Sequence, residues 1–140
     1  MKRTVESVEA MRALGAEIAE RATPGTVIAL VGDLGAGKTE WVRGFMTALP
    51  GYNAADVASP TFALVHRYET APAVWHLDLY RLESEEELAA IGGEEFFDPI
   101  DEITLVEWAD RYPSWLPKGA WRVEIERVSV TERAVTVGFG

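Results

Sequence analysis

Cysteine is absent from the 140 residues. That excludes a disulfide framework, a thiolate metal site and a cysteine nucleophile. Histidine occurs only at His66 and His76, too few for a His-rich metal centre. No apolar run approaches the ~18–20 residues of a membrane-spanning helix. The longest, Val27 to Val31, is strand-sized. Lys2 and Arg3 are not followed by an apolar core, so no signal peptide, no membrane attachment and a cytoplasmic location are expected. Positive charge is scarce: 13 Lys and Arg stand against 23 Asp and Glu, for a net charge of −10. Affinity for nucleic acid comes largely from Lys and Arg neutralising phosphates, so the chain is a poor candidate to hold nucleic acid by itself. The apolar content of 48% is that of a globular protein, and the length suits one domain spanning residues 1–140.

The negative charge is concentrated. Eleven acidic residues and no Lys or Arg lie between Glu83 and Asp110, which leaves the rest of the chain close to neutral. Such a stretch reads as a solvated face that aids solubility, or as a docking surface for a basic partner.

Local patterning alternates helix and strand. Ser7 reads as the N-cap of a helix running to about Arg21, with Val8, Met11, Leu14 and Ile18 on one face. Pro24-Gly25 breaks it. Thr26 to Val31 is apolar almost throughout, as in a strand buried on both faces. A second helix to about Leu49 presents Trp41, Val42, Phe45, Met46 and Leu49 to a core. Phe62–Glu69 and Val74–Tyr80 read as an antiparallel hairpin. Ser84 and Glu87 have the spacing of a capping box opening a short helix. Ile103–Val106 is a short strand ending at Glu107, and Trp121–Val130 with Ala134–Phe139 read as a terminal hairpin. The fold class expected is α/β: a P-loop NTPase-like, mostly parallel sheet flanked by helices, with antiparallel hairpin strands.

The strongest chemical signal is Gly32-Asp33-Leu34-Gly35-Ala36-Gly37-Lys38-Thr39, which matches G-x-x-x-x-G-K-[ST] in full. It lies between an apolar strand and a helix, the context the motif needs. Glycines permit the backbone to turn its N–H groups inward as an anion nest, and the helix adds its positive dipole end. Lys38 is then expected at the β- and γ-phosphates of a nucleotide, and the Thr39 hydroxyl at Mg²⁺. An acidic residue at a strand end is also needed, and Asp78 and Glu107 are the two candidates. Ser59-Pro60-Thr61 places a threonine between the loop and Asp78, where a switch residue can close on the γ-phosphate. No N-K-x-D guanine reader is present, which favours ATP over GTP. His76 reads as a packed or hydrogen-bonded histidine rather than a general base, and Trp108 as a core or rim residue rather than a stacking platform.

Together GDLGAGKT, SPTFALVHRYE, HLDLYRL, the EEL…IGGEEFFDP run and LVEWADR followed by LP resemble the bacterial TsaE (YjeE) family, from about Leu14 to Pro117. The resemblance implies a small cytoplasmic P-loop ATPase. Its partners would be the TsaD and TsaB proteins, which attach a threonylcarbamoyl group to adenosine 37 of tRNAs reading ANN codons. ATP hydrolysis would support turnover of that complex, with tRNA met only through the partners. It also implies roles: Lys38 and Thr39 at phosphate and Mg²⁺, Thr61 as a switch-like residue near the metal, Asp78 needed for activity, and Glu107 at Mg²⁺. Ser7 and Met11 would flank the adenine. Glu40 stands where the family often has a second threonine; it lies outside the motif core, so little effect on binding is expected. No arginine finger is evident at a motif position; Arg67, Arg81 or a partner's arginine could serve. The other readings are a small P-loop kinase with a small-molecule acceptor, a nucleotide-gated interaction protein without catalysis, and a direct tRNA binder.

Overall fold

The apolar run becomes the middle of a sheet. In the computed structural model, which describes residues 1–33, 35–53 and 64–140, Val27–Val31 is strand β2. It follows β1 (Lys2–Val5) and helix α1 (Val8–Ala19) and leads into α2 (Lys38–Thr47). Next come β3 (Val65–Tyr68), β4 (Val74–Asp78), α3 (Glu85–Ala90), α4 (Gly93–Phe96), β5 (Ile103–Glu107), β6 (Trp121–Arg127) and β7 (Arg133–Gly138). The seven strands form one sheet in the order β1-β7-β6-β2-β5-β4-β3. β2 runs parallel to β5 and β6, and β4 parallel to β5. The outer pairings, β3 with β4, β6 with β7 and β1 with β7, are antiparallel. The expected mostly parallel sheet with antiparallel hairpin strands is therefore present.

Alternation along β2 divides its side chains between two cores, because successive Cβ atoms point to opposite faces. Ile28 and Leu30 pack with Leu14, Ile18, Trp41 and Phe45 of α1 and α2. Val27 and Ala29 pack with Leu77, Leu88, Phe97 and Val106 on the other side. Helices thus cover both faces, as a parallel sheet requires. Two glycines let α1 and α2 touch backbone to backbone. A Cβ at Gly15 would lie 2.1 Å from the Trp41 carbonyl oxygen, and one at Gly44 would lie 1.9 Å from that of Arg12.

The local signals hold with instructive exceptions. Ser7 caps α1, its hydroxyl accepting from the Ala10 N–H at 3.0 Å. Val8 is exposed rather than part of the buried stripe, because it sits in the first turn at the rim of a cavity described below. Ser84 is the N-cap of α3, but its side chain makes no capping bond, so the spacing marks the helix start without the reciprocal box. The terminal hairpin turns earlier than expected, as Val128 and Ser129 donate to the Glu132 carbonyl. β1 carried no clear periodic signal; the β7 edge supplies its hydrogen bonds. Within the acidic segment nine of the eleven side chains are exposed, Glu102 is half-buried, and Glu107 is buried.

Candidate nucleotide site

β2 delivers the chain at Val31 to the glycine-rich turn, and α2 begins at Lys38. Gly37 is the N-cap with φ of 114°, a conformation that an L side chain rarely adopts. Gly35 is also left-handed, with φ of 77°. The turn thereby presents the first N–H groups of α2 outward, where an anion would sit.

Lys38 is buried across the mouth of this turn. Its ammonium donates to the Gly32 carbonyl and, at 3.0 Å, to that of Asp33. It also lies 4.0 Å from the centre of the Trp108 ring, a cation–π contact. Burial lowers its pKa from the ordinary lysine value, while Glu107, Asp110, Asp33 and Asp78 pull the other way. Trp108 holds its ring there from a left-handed backbone, φ 59°, that is rare for a bulky residue, with its N–H bonded to the Leu30 carbonyl at 3.2 Å. The ring also meets Tyr80.

The two candidate carboxylates end neighbouring parallel strands. In the β4–β5 register Asp78 is paired with Glu107. Glu107 is buried and accepts from His76 Nε2 at 2.6 Å. His76 is thus the hydrogen-bonded histidine expected. Asp78 is half-buried and caps the following turn, accepting from the Tyr80 N–H at 3.0 Å. Its pKa is raised, first by burial; the Tyr80 N–H lowers it and Glu107 raises it further.

Lys38, Thr39, Asp78, Arg81, Glu107 and Trp108 line one cavity of about 480 Å³. A second, of about 320 Å³, lies along the turn and is lined by Ser7, Met11, Ala36, Val130 and Arg133 among others. Gly35, Gly37 and Glu40 face both. A larger space lined by charged and polar side chains and a smaller, more apolar one therefore flank a single loop. Among the described residues no three His, Cys, Asp or Glu side chains converge as a self-sufficient metal site. The hydroxyl of Thr39 and the carboxylates of Asp78 and Glu107 are hard oxygen donors around one cavity. That set suits Mg²⁺, which keeps waters and phosphate oxygens as most of its ligands.

The structure brings together Lys38, Thr39, Asp78 and Glu107, and places Ser7 and Met11 at the second cavity. Gly32, Asp33, Gly35, Ala36 and Gly37 form the turn, while Leu34 and Thr61 lie outside the described residues. Of the arginines, Arg81 lines the polar cavity, whereas Arg67 is occupied by Glu69 at 2.7 Å on β3. Arg133 was not legible beforehand. Its guanidinium donates to the Ala36 carbonyl at 3.1 Å and to the Ser129 carbonyl at 2.9 Å, fastening the β6–β7 turn to the glycine-rich loop. An arginine at the start of an amphipathic strand carries no signal for such a role.

Residues 5–135 match the family model described as threonylcarbamoyl adenosine biosynthesis protein TsaE. The tRNA threonylcarbamoyladenosine biosynthesis protein TsaE of Bacillus subtilis is 38% identical over 135 residues, 96% of this chain and 82% of that one. The protein of the same name from Rickettsia conorii is 32% identical, covering 96% of this chain and 75% of its own. The crystal structure of Bacillus subtilis YdiB superposes with a TM-score of 0.76 at 29% identity, covering all of this chain and 86% of the other. With residues 5–135 matched by the family model and relatives matching over nearly its whole length, the chain belongs to the TsaE family of threonylcarbamoyl adenosine biosynthesis proteins.

Proposed function

We propose that this chain is an ATP-binding and ATP-hydrolysing subunit, one domain in the cytoplasm. It supports a TsaB/TsaD pair in the threonylcarbamoylation of adenosine 37 in tRNAs reading ANN codons. The observation that carries this reading is the placement of Lys38 at the mouth of an anion nest, with Asp78 and Glu107 at adjacent strand ends facing the same cavity. The triphosphate would lie in the polar cavity and the adenine beside Ser7 and Met11 in the other. Thr39 and Glu107 would hold Mg²⁺, which when bound neutralises phosphate charge.

The chain's own groups then divide the work. Lys38 exchanges the Gly32 and Asp33 carbonyls for phosphate oxygens. The backbone N–H groups of the turn stabilise charge on the transferred phosphoryl group. Asp78 or Glu107, with Thr61, holds the attacking water. Asp78 is the better placed to accept a proton, because its pKa is raised and Glu107 is already bonded to His76. Turnover by the isolated chain should be slow, with Arg81 or an arginine of a partner completing the site. The acidic composition fits a protein whose partners hold the tRNA.

Lys38→Ala should abolish nucleotide binding or turnover in a phosphate-release assay; a full-rate variant sinks the reading. Co-purification with TsaB and TsaD, with and without ATP, tests the partners: nucleotide-dependent association is expected, and none in either condition refutes that part.

A further inference from the structure

Glu40 occupies an awkward place. It is the third residue of α2 after the Gly37 N-cap, the position from which the glutamate of a capping box accepts from the N-cap N–H. In this protein that N–H belongs to the anion nest. A carboxylate is favoured there by the helix dipole, so it would compete with any bound phosphate for the same donors. Glu40 faces both cavities, which puts it within reach of either outcome.

The side chain is instead held to one side. Its Oε2 accepts from Arg12 Nε at 2.7 Å, and its Oε1 accepts from Arg43 at 3.1 Å, so each oxygen has an arginine partner. Arg12 comes from α1 and Arg43 from the next turn of α2. The position of Arg12 is set by backbone packing rather than by the ion pair, because Gly44 lies directly against the Arg12 carbonyl. The bridge is partly exposed, so it adds little stability of its own. Its effect lies in where it directs the carboxylate.

We propose that Arg12 and Arg43 act as a clamp that holds the Glu40 carboxylate away from the N-terminus of α2 and so keeps the nest open to an anionic ligand. The proposal deepens the nucleotide-site reading and rests on it. Arg12, Arg43 and Glu40 are positioning residues: they act on the ligand only through the state of the helix terminus.

The test is a cycle of variants read in two ways. Titration calorimetry with ADP should show Arg12→Ala/Arg43→Ala binding about tenfold more weakly, the equivalent of one misplaced charge-assisted bond. In a Glu40→Gln background the same two substitutions should cost nothing further. An equal loss in both backgrounds, or no loss in the first, overturns the clamp. The second readout needs no nucleotide. Amide hydrogen exchange at Gly37 should slow when both arginines are removed, because the freed carboxylate then accepts from that N–H, and should not slow when Glu40 is also replaced. Unchanged exchange in the double variant overturns the clamp, even if ADP affinity falls. Failure of the parent protein to bind ADP at all would instead overturn the nucleotide reading, and the exchange result would still decide whether Glu40 is clamped.

Discussion

Glu107 Oε2 and His76 Nε2 lie 2.6 Å apart, and both side chains are buried. The imidazole donates to the carboxylate from one strand over, and its Nδ1 has no hydrogen-bond partner among the described residues. Removing one member of such a pair leaves the other buried and uncompensated. His76→Leu should therefore destabilise the fold by about 3–5 kcal/mol. The double variant His76→Leu/Glu107→Leu should recover most of that loss, since apolar replacement of a whole buried pair is often close to neutral. Urea unfolding of the parent, His76→Leu, Glu107→Leu and the double variant measures the coupling. A single-variant loss below about 1 kcal/mol would show that the contact is not a stabilising pair.

Asp78 should show the opposite sign. Burial raises its pKa, with Glu107 adding to the rise. A carboxyl with a raised folded pKa favours folding while protonated, and that contribution is lost as pH rises through the folded value. Asp78→Asn stays neutral and keeps an oxygen for the Tyr80 N–H. It should unfold at higher urea concentration than the parent at pH 7, and the gap should close below the ordinary carboxyl value of 3.8. ATP turnover should fall by about a hundredfold or more if this carboxylate serves as the base. A variant less stable than the parent at pH 7 contradicts the sign.

Gly44→Ala pits helix propensity against packing. Alanine gains about 1 kcal/mol over glycine in a helix interior. Against that, its Cβ would lie 1.9 Å from the Arg12 carbonyl oxygen, a backbone atom that can move only with α1. Overpacking of this kind costs about 1–3 kcal/mol and sometimes more, so the net change should be a loss. Gly138, with nothing within 4 Å of an added Cβ, is the control and should tolerate alanine within about 0.5 kcal/mol. Equal melting temperatures for the two variants would refute the tight α1–α2 crossing.

Arg133 ties two parts of the site through backbone carbonyls, those of Gly35 and Ala36 in the glycine-rich loop and those of Ser129, Val130 and Glu132 in the β6–β7 turn. The planar fork makes this possible, and a lysine cannot reproduce it. Arg133→Ala should weaken ADP binding about tenfold with only a small change in stability, and Arg133→Lys should not restore it. Full affinity in the lysine variant would mean that only the charge matters.

Neighbouring residues carried the information that was legible from the start. The glycine-rich turn, its lysine and its threonine are consecutive, and their conformations follow from φ freedom and helix-terminus electrostatics. The α1 cap and the buried β2 run are equally local. The acidic segment was legible only as composition: packing took Glu107 out of it and left nine of its side chains in solvent.

By itself, then, the sequence determined a phosphate-type loop between a buried strand and a helix, and offered two carboxylates as its companions. Only the tertiary structure paired those carboxylates across β4 and β5, matched Glu107 with a histidine 31 residues away, and brought Arg133 to a carbonyl 97 residues away. The reason is physical. Periodicity and capping act over a few residues, whereas sheet register and helix crossing are settled by how two cores fill, and contacts between distant positions exist only once that packing is complete.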